Sequence, residues 1–456
     1  MSIPINGRIA ILDDNTEEVL PLMQELSKRQ CPYSYYTGEL KHLPDESENT
    51  NDIRVLFLDI YLTTPEPRSE KEIKSILVST LTRIIPKDNF PYLIIFWSKH
   101  EEDHKELIKE IFDKDLTDRK PVDYLSIEKS KYFPNNGERA PDFEANLQTL
   151  WSDIINALEK VPVYDLLLKW ENFVHNSSAN TIEEVFSTVQ NIDEWMNNSN
   201  KLFRSLGVSF SGKHYKKMDD ANKNKSSFFT FNNIFMDTLD HKVETAKALN
   251  IKIPESSSNI DSLSVANINS KLLYQKGNSI NSYPGSLLVS KERDDKYIAD
   301  VFMNVINHGV LKKQIENENQ ESSKSKIDKL CSNLRKEIRA SWKKVWLIVT
   351  PLCDFVQKKE IYSKIVKGLL IESKYKIYLD DKSEAVFISP TFMFEEKEYL
   401  LVLQLRNFIS VNDSSTLDKK DILFRLRQNL LVEIQSKLSR QINRHGILFL
   451  DHDDIE

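Results

Sequence analysis

The first 160 residues alternate short apolar runs with longer amphipathic segments. Five runs have the length and composition of β-strands: residues 8–12, 33–36, 53–62, 92–98 and 122–127. Four longer segments place apolar residues at helical spacing: 16–29, 70–85, 101–112 and 143–160. Near-continuous apolar strands separated by helices are typical of a parallel sheet with helices on both faces. We therefore expect an α/β domain over residues 1–160.

The middle of the chain, residues 161–258, changes to a helical pattern. Apolar side chains recur on one helical face after Thr181, and Thr181 with Glu184 forms a capping box. We therefore expect a helix to begin at Thr181. A polar loop over 216–227 precedes a second helical segment at 231–249. This pattern predicts a helical middle domain.

Strand patterns return in residues 259–456. Four apolar runs there predict strands: 286–290, 345–350, 384–390 and 398–405. A charge-mixed insert at about 311–335 predicts an exposed loop or the solvated start of a helix. Helical spacing over 421–442 predicts an amphipathic C-terminal helix that stops at Gly446. We expect an α+β domain with a β-barrel-like core.

The composition narrows the class of protein. The 456 residues contain 40% hydrophobic and 29% charged side chains, which is typical of globular domains. The formal net charge of -7 argues against a general nucleic-acid coat. Three scattered cysteines without CxxC spacing predict neither a disulfide framework nor a zinc site, and favour a cytoplasmic protein. We expect no secretion signal, because the start lacks a basic segment followed by a long apolar run. We expect no membrane span, because the apolar runs are only as long as strands.

An acidic residue interrupts the third predicted strand. Asp59 follows Val55–Leu58 directly, and a buried carboxylate is costly unless something pairs with it. Other polar residues follow the neighbouring strands at the corresponding point: Asp13, Asp14, Ser98 and Lys129. Because the carboxyl ends of adjacent parallel strands converge on one crevice, we expect these groups to meet.

The expected cluster has a specific chemistry. Carboxylates in close proximity repel each other, and a hard cation bound through oxygen ligands relieves that repulsion. Mg2+ is suited to such a site because it binds one or two carboxylates together with phosphate oxygens and water. Asp59 is the candidate nucleophile towards a phosphoryl group, forming an acyl phosphate. Lys129 would neutralise phosphoryl charge, and Ser98 would donate a hydrogen bond.

These stretches resemble the receiver domain of response regulators in two-component signalling, over roughly residues 5–160. "ILDDN" matches the acidic pair of that family, "VLFLDIYL" the phosphoacceptor strand, "IIFWS" the hydroxyl position and "SIEKS" the lysine position. The resemblance implies a flavodoxin-like fold with strand order 2-1-3-4-5. It also implies Mg2+ and a phosphoryl donor that is a histidine kinase or a phosphotransfer protein. By the same resemblance, the backbone carbonyl of Tyr61 completes a metal site formed with Asp13, Asp14 and Asp59.

The sequence departs from the receiver pattern in three places. "KHLPDESENT" is too short and polar for the helix that the family carries between its second and third strands. The family's aromatic residue on the last strand is not evident, because Ser126 lies near its place and Tyr124 is offset. Lys129 lacks the usual following proline, so Lys131 is an alternative lysine. The competing interpretation is an inactive receiver-like fold in which Lys129 only neutralises Asp59.

A Cys-Asp pair is the most distinctive feature of the late sequence. Cys353 and Asp354 follow an apolar strand and a Thr-Pro turn. They are either a thiol nucleophile, which would need an activating base or cation, or a buried cysteine beside a helix-capping aspartate. We favour the structural interpretation. The segment resembles a Thr-Pro-x-Cys-Asp signature of uncharacterised bacterial proteins, which also carry strand motifs like residues 269–273 and 284–288.

The predicted terminal helix is basic on one side, with Arg425, Arg427, Lys437, Arg440 and Arg444. Such cations could bind nucleic-acid phosphates, but no helix-turn-helix pattern precedes them. We therefore favour a solvated face and consider nucleic-acid binding the weaker alternative. The apolar stripe of this helix is suited to a partner protein or a homodimer.

Taken together, the sequence predicts a two-component signalling phosphoprotein that acts as a phosphorelay member or a phosphate sink. It resembles receiver proteins of bacterial anti-phage systems such as Detocs, which implies antiviral defence and a second receiver-effector protein as a partner. Beyond receiver phosphorylation and dephosphorylation we expect no enzymatic activity. The alternatives are an effector enzyme that uses Cys353 and Asp354 under phosphorylation control, or a DNA-binding response regulator.

Overall fold

The computed structural model describes residues 8–46, 52–62, 69–98, 101–132, 141–189, 192–255, 260–277, 280–318, 323–357, 362–380, 382–412, 417 and 420–442. The chain forms two compact units. The first comprises Met1–Ser199 with Phe231–Glu255, and the second comprises Asn200–Thr230 with Ser256–Glu456. The expected division into domains at 1–160, 161–258 and 259–456 stays a prediction. Among the helices in the described ranges, none is long and apolar enough to cross a membrane.

A five-stranded parallel sheet forms the centre of the first unit. Its strands are β1 (Ile9–Leu12), β2 (Tyr33–Tyr36), β3 (Val55–Leu58), β4 (Leu93–Phe96) and β5 (Asp123–Ser126). The spatial order is β2-β1-β3-β4-β5, and every neighbouring pair is parallel. The predicted α/β class and strand order are confirmed, and the fold is flavodoxin-like.

Helices cover both faces of this sheet. They are α1 (Thr16–Lys28), α2 (Glu70–Ile84), α3 (Glu101–Glu110) and α4 (Phe143–Glu159). Ile9 and Ile11 of β1 pack in one core with the apolar sides of α1 and α4. Ala10 and Leu12 point to the opposite face and pack with α2 and α3. The two-residue alternation of side chains along the buried strands thus produces two cores, as expected for a doubly covered sheet.

The helical region differs from the sequence prediction in two ways. It contains α5 (Pro162–Phe186), α6 (Trp195–Ser211) and α7 (Asp220–Thr245). No helix begins at Thr181, which is 2% exposed in the last turns of α5. Pro162 sets the true start, since proline is favoured at the first helical position. The predicted loop at 216–227 is also wrong in part, because the Asp219 side chain accepts from the Asn222 amide (2.9 Å) as helix α7 begins.

An eight-stranded antiparallel sheet, curled into a half-barrel, forms the core of the second unit among the residues described there. Its strands are β6 (Tyr274–Gln275), β7 (Ser286–Val289), β8 (Lys343–Ile348), β9 (Tyr362–Glu372), β10 (Val386–Ile388), β11 (Phe392–Phe394), β12 (Lys397–Asn412) and β13 (Ile422–Leu426). The order is β10-β12-β9-β8-β7-β13-β6, with β11 paired to β12. The predicted α+β domain with a barrel-like core is confirmed.

Seven further helices are described in this unit: α8 (Ser262–Leu273), α9 (Asp294–Tyr297), α10 (Met303–Val305), α11 (His308–Glu318), α12 (Lys324–Ser341), α13 (Leu352–Gln357) and α14 (Gln428–Ile442). The charged insert at about 311–335 contributes to helices α11 and α12 in its described residues, so of the two predicted alternatives the helix is correct and the exposed loop is wrong. Leu311 and Ile327 are buried in the core that lies against the sheet. The terminal helix begins only at Gln428, because the residues before it form β13. Its predicted stop at Gly446 lies outside the described residues.

Candidate functional site

Two backbone hydrogen bonds fix the acids at the carboxyl end of the parallel sheet. The Asp13 amide donates to the carbonyl of Tyr36 (3.1 Å), and the Asp59 amide donates to the carbonyl of Leu12 (2.8 Å). The sheet ladder therefore continues one residue past β1 and β3. Because the two strands are neighbours in register, both carboxylates emerge at the same edge.

Asp13, Asp14 and Asp59 form a cluster of three carboxylates. One oxygen from each lies within 4.8 Å of the others. Asp13 is fully buried and Asp59 is 8% exposed, whereas Asp14 is exposed and opens the cluster to solvent. A set of oxygen ligands with a solvent-facing side fits the preference of Mg2+, which keeps several waters and uses few carboxylates. These three residues would hold the cation.

Lys129 stands between the acids as a buried counter-charge. It begins a short 3-10 helix, Lys129–Lys131, just beyond β5. Its Nζ donates to Asp13 Oδ2 (2.7 Å) and Asp59 Oδ2 (2.8 Å), and only 1% of its side chain is exposed. The alternative lysine, Lys131, is exposed. The structure therefore assigns the central position to Lys129.

Glu18 is a fourth acid at the site that the sequence reasoning missed. Its Oε2 lies 3.0 Å from Lys129 Nζ, and 14% of its side chain is exposed. The Asn15 side chain caps α1 by accepting from the Glu18 amide (3.4 Å), while the Asn15 amide donates to Asp13 Oδ1 (2.9 Å). A signal was present in the sequence, since the first turn of a helix that starts at the end of β1 must lie beside Asp13.

Burial and like charge control the ionisation of the acids. Burial, followed by the Asp59 charge, raises the pKa of Asp13 to about 7 against the lowering effect of Lys129. Burial and Asp59 also raise the pKa of Asp14. For Lys129 burial acts against the charged form, but the facing carboxylates of Asp59 and Asp13 outweigh it and raise the pKa of the ammonium. The site thus holds more negative charge than one lysine neutralises, which favours a bound cation.

Ser98 and Tyr61 lie at the same end of the sheet. Ser98 is the second residue after β4 and is 3% exposed. Tyr61 follows Asp59 by two residues, and its amide donates to Asp59 Oδ1 (3.3 Å). The roles of the Ser98 hydroxyl as a donor to phosphate, and of the Tyr61 carbonyl as a metal ligand, stay predictions.

The departures from the receiver pattern are visible in the structure. Between β2 and β3 the described residues contain only one helical turn, the 3-10 helix Leu40–His42. The Tyr124 ring is stacked on Phe96 with centroids 5.9 Å apart and contacts Phe112 at 6.2 Å. Its hydroxyl is buried without a hydrogen-bond partner among the described atoms. Tyr124 is therefore a packed core residue beside the site.

The other predicted candidates belong to the second unit of the chain. Cys353 is exposed on the short helix α13, so the favoured prediction of a buried cysteine is wrong. Its thiol donates to Asp354 Oδ1 (3.5 Å). Three of the basic residues make structural contacts. Arg425 donates to Gln275 Oε1, while Arg427 and Lys437 donate to backbone carbonyls. Arg440 lies in the last turn of α14, and Arg444 lies outside the described residues.

Comparison with protein-family models and with curated proteins identifies no relative of this chain. No protein-family model matches the chain, and no curated protein matches it significantly. Function is therefore inferred from the residues of the site and their arrangement.

Proposed function

We propose that the first unit is a phosphoacceptor module and that Asp59 receives a phosphoryl group from a phosphohistidine. The donor would be a histidine kinase or a phosphotransfer protein of a two-component system. The observation that carries the proposal is the buried Lys129 ammonium bridging Asp13 and Asp59 beside a solvent-facing third carboxylate. This set supplies a nucleophile, a cation site and a fixed positive charge at one point.

The transfer is a displacement at phosphorus. A carboxylate oxygen of Asp59 attacks the phosphoryl group, the P–O bond forms and the P–N bond breaks, and its electron pair leaves with the imidazole. A bound Mg2+ would supply positive charge against the phosphoryl oxygens. Lys129 adds a second positive charge, which already lies 2.8 Å from Asp59. The Ser98 hydroxyl, at the same sheet edge, would donate a hydrogen bond to the product.

The charge balance supports an acceptor over an inactive fold. If Lys129 only neutralised Asp59 in an inactive fold, a single carboxylate would be enough to pair with the ammonium. Instead Asp13, Asp14 and Glu18 surround the same ammonium and carboxylate. Such excess negative charge is costly unless a cation offsets it. The crowding is explained by a site that binds a divalent cation during phosphoryl transfer.

The wider role follows from the resemblance of the first third of the chain to receivers. The protein would relay the phosphoryl group to a second receiver-effector protein, or absorb stray phosphoryl groups as a sink, in anti-phage defence. The half-barrel unit would then bind a partner rather than catalyse a reaction.

The direct test is labelling by a small phosphoryl donor. Wild-type protein incubated with Mg2+ and acetyl phosphate should gain a hydroxylamine-labile phosphoryl group, whereas Asp59→Asn should not. Asp123→Asn is the matched control, because Asp123 is an exposed acid at the start of β5. An unlabelled wild type, beside a known receiver that is labelled in the same buffer, would rule the proposal out.

A further inference from the structure

A tyrosine and a histidine are hydrogen-bonded beside the phosphoacceptor. The Tyr61 hydroxyl lies 2.8 Å from His104 Nε2, and the two rings meet edge to face with centroids 5.4 Å apart. Tyr61 belongs to the loop after β3, whereas His104 lies in α3, the helix that follows β4 and Ser98. The contact therefore joins the loop that follows Asp59 to the helix that follows Ser98.

The backbone of Tyr61 connects this contact to the nucleophile. Its amide donates to Asp59 Oδ1 (3.3 Å), while Lys129 takes the other oxygen, Oδ2 (2.8 Å). The ladder hydrogen bonds hold the chain up to Asp59. Beyond that point, the contact of the Tyr61 side chain with His104 can restrict where the Tyr61 amide and carbonyl lie.

Among the described atoms, the Tyr61 hydroxyl is the hydrogen-bond partner that orients the His104 ring. Its Nδ1 is buried and has no hydrogen-bond partner among the described atoms. The hydrogen bond through Nε2 therefore orients the ring, and its loss would leave the ring without a hydrogen bond among the described atoms. An imidazole placed in this way on a helix is best explained by the tyrosine that it holds.

We propose that His104 is a positioning residue for Asp59 and acts through Tyr61. The Tyr61–His104 bond fixes the backbone of Tyr61, so that its amide stays on Asp59 Oδ1 and its carbonyl faces the cation. This inference rests on the proposed function and identifies what keeps that site preorganised. His104 itself touches neither the cation nor the phosphoryl group.

The test compares four variants for Mg2+ affinity and for the initial rate of labelling by acetyl phosphate. Tyr61→Phe and His104→Leu should each weaken the apparent Mg2+ affinity roughly fivefold, the size expected for one lost hydrogen bond. The double variant should be no worse than either single variant, because both remove the same contact. His104→Gln, which can still bond the hydroxyl, should recover most of the affinity.

Tyr124→Phe is the matched control, since its hydroxyl is buried without a partner in the described part of the chain and should not affect Mg2+ binding. Unchanged Mg2+ affinity in both single variants, or additive losses in the double variant, would overturn the inference. The inference would also be overturned if His104→Gln bound Mg2+ as weakly as His104→Leu. The proposed role depends on a hydrogen bond that glutamine can supply and leucine cannot. An unlabelled wild type would reject the proposed function instead, and Mg2+ affinity would still decide the role of His104.

Discussion

Lys129 Nζ lies 2.8 Å from Asp59 Oδ2, at a position where 1% of the lysine side chain and 11% of the aspartate side chain are exposed. A charge pair this buried is stable only when its partners are complete, since desolvation costs each ion several kcal/mol. Here the ammonium also meets Asp13 and Glu18. The pair therefore depends on its full set of partners, and in the proposed function its ammonium would also face the phosphoryl group.

Replacement of Lys129 by alanine should destabilise the first unit. The change leaves Asp13 and Asp59 buried and facing each other without a counter-charge, which we expect to cost about 3–5 kcal/mol. Thermal unfolding at pH 8 without Mg2+ measures the loss, and added Mg2+ should restore part of it. Lys131→Ala is the control, because Lys131 is exposed. Equal effects of the two substitutions would contradict the assignment of Lys129.

Mg2+ binding should depend on pH through Asp13, whose pKa burial and Asp59 raise to about 7. Protonated Asp13 cannot bind a cation, so each pH unit below about 7 should weaken the apparent Mg2+ affinity up to about tenfold, with a plateau above. Isothermal titration at several pH values measures this. A flat profile between pH 5 and about 8 would show that Asp13 is not a ligand.

The same shift predicts how stability depends on pH without Mg2+. The folded pKa of Asp13 is above its ordinary value of 3.8, so between about 4 and 7 the folded state holds a proton that the unfolded state has released. The contribution of Asp13 is therefore fully present below about pH 4 and is lost as the pH rises through about 7. Between about pH 4 and about 7, wild type should therefore lose unfolding free energy relative to Asp13→Ala, which has no such group to titrate. Thermal unfolding of both proteins across this range measures the difference. A wild type that gains stability relative to Asp13→Ala as the pH rises would contradict the raised pKa of Asp13.

Glu171 should stabilise the packing of α5 against the amino end of the sheet. Its Oε1 accepts from both Arg8 and Arg54 at 2.9 Å, and 16% of its side chain is exposed. Glu171→Ala leaves two guanidinium groups without this partner and should cost about 1–3 kcal/mol of unfolding free energy. Glu183→Ala, at an exposed position on the same helix, should cost little. A similar loss in both variants would show that the ion pairs are not responsible.

Gly368 should tolerate no side chain. A Cβ there would lie 2.5 Å from the Val402 carbonyl oxygen and 2.6 Å from Leu403, on the neighbouring strand of the half-barrel. Gly368→Ala should therefore lower the unfolding free energy by about 1–3 kcal/mol, through forced movement of packed strands. Gly309→Ala, whose nearest neighbour would be an ordinary 3.4 Å away, should be close to neutral in denaturant unfolding. A neutral Gly368→Ala would mean that β9 and β12 lie farther apart than described.

The first unit was predictable because its buried strands are short apolar runs that end in polar residues. That pattern located Asp13, Asp59 and Lys129 at one sheet edge, as the structure has them. Glu18 and His104 were missed because their roles arise from helices that bring them back to the strand ends. For Glu18 the short distance in sequence from Asp13 was a usable signal, whereas the contact between His104 and Tyr61 spans 43 positions and leaves no such signal.

The second unit was less predictable because its strands break the simple patterns. β9 contains Lys367 and Gly368, yet Lys367 is 4% exposed and is paired with Glu292 (2.8 Å) and Asp300 (3.2 Å). A lysine inside a strand appears exposed until these distant acids are known. The run Ile422–Leu426 satisfied a helical spacing, but its pairing with β7 and β6 makes it a strand. Short apolar runs fit both periods, and tertiary pairing decides.

The most direct measurement is the location of the phosphoryl group itself. Wild-type protein is labelled with Mg2+ and a phosphorylated donor, reduced with borohydride to convert the acyl phosphate to homoserine, and digested for mass spectrometry. We expect homoserine at position 59 alone, and none when Mg2+ is withheld. Modification at any other residue, or equal modification without Mg2+, would contradict Asp59 as the phosphoacceptor.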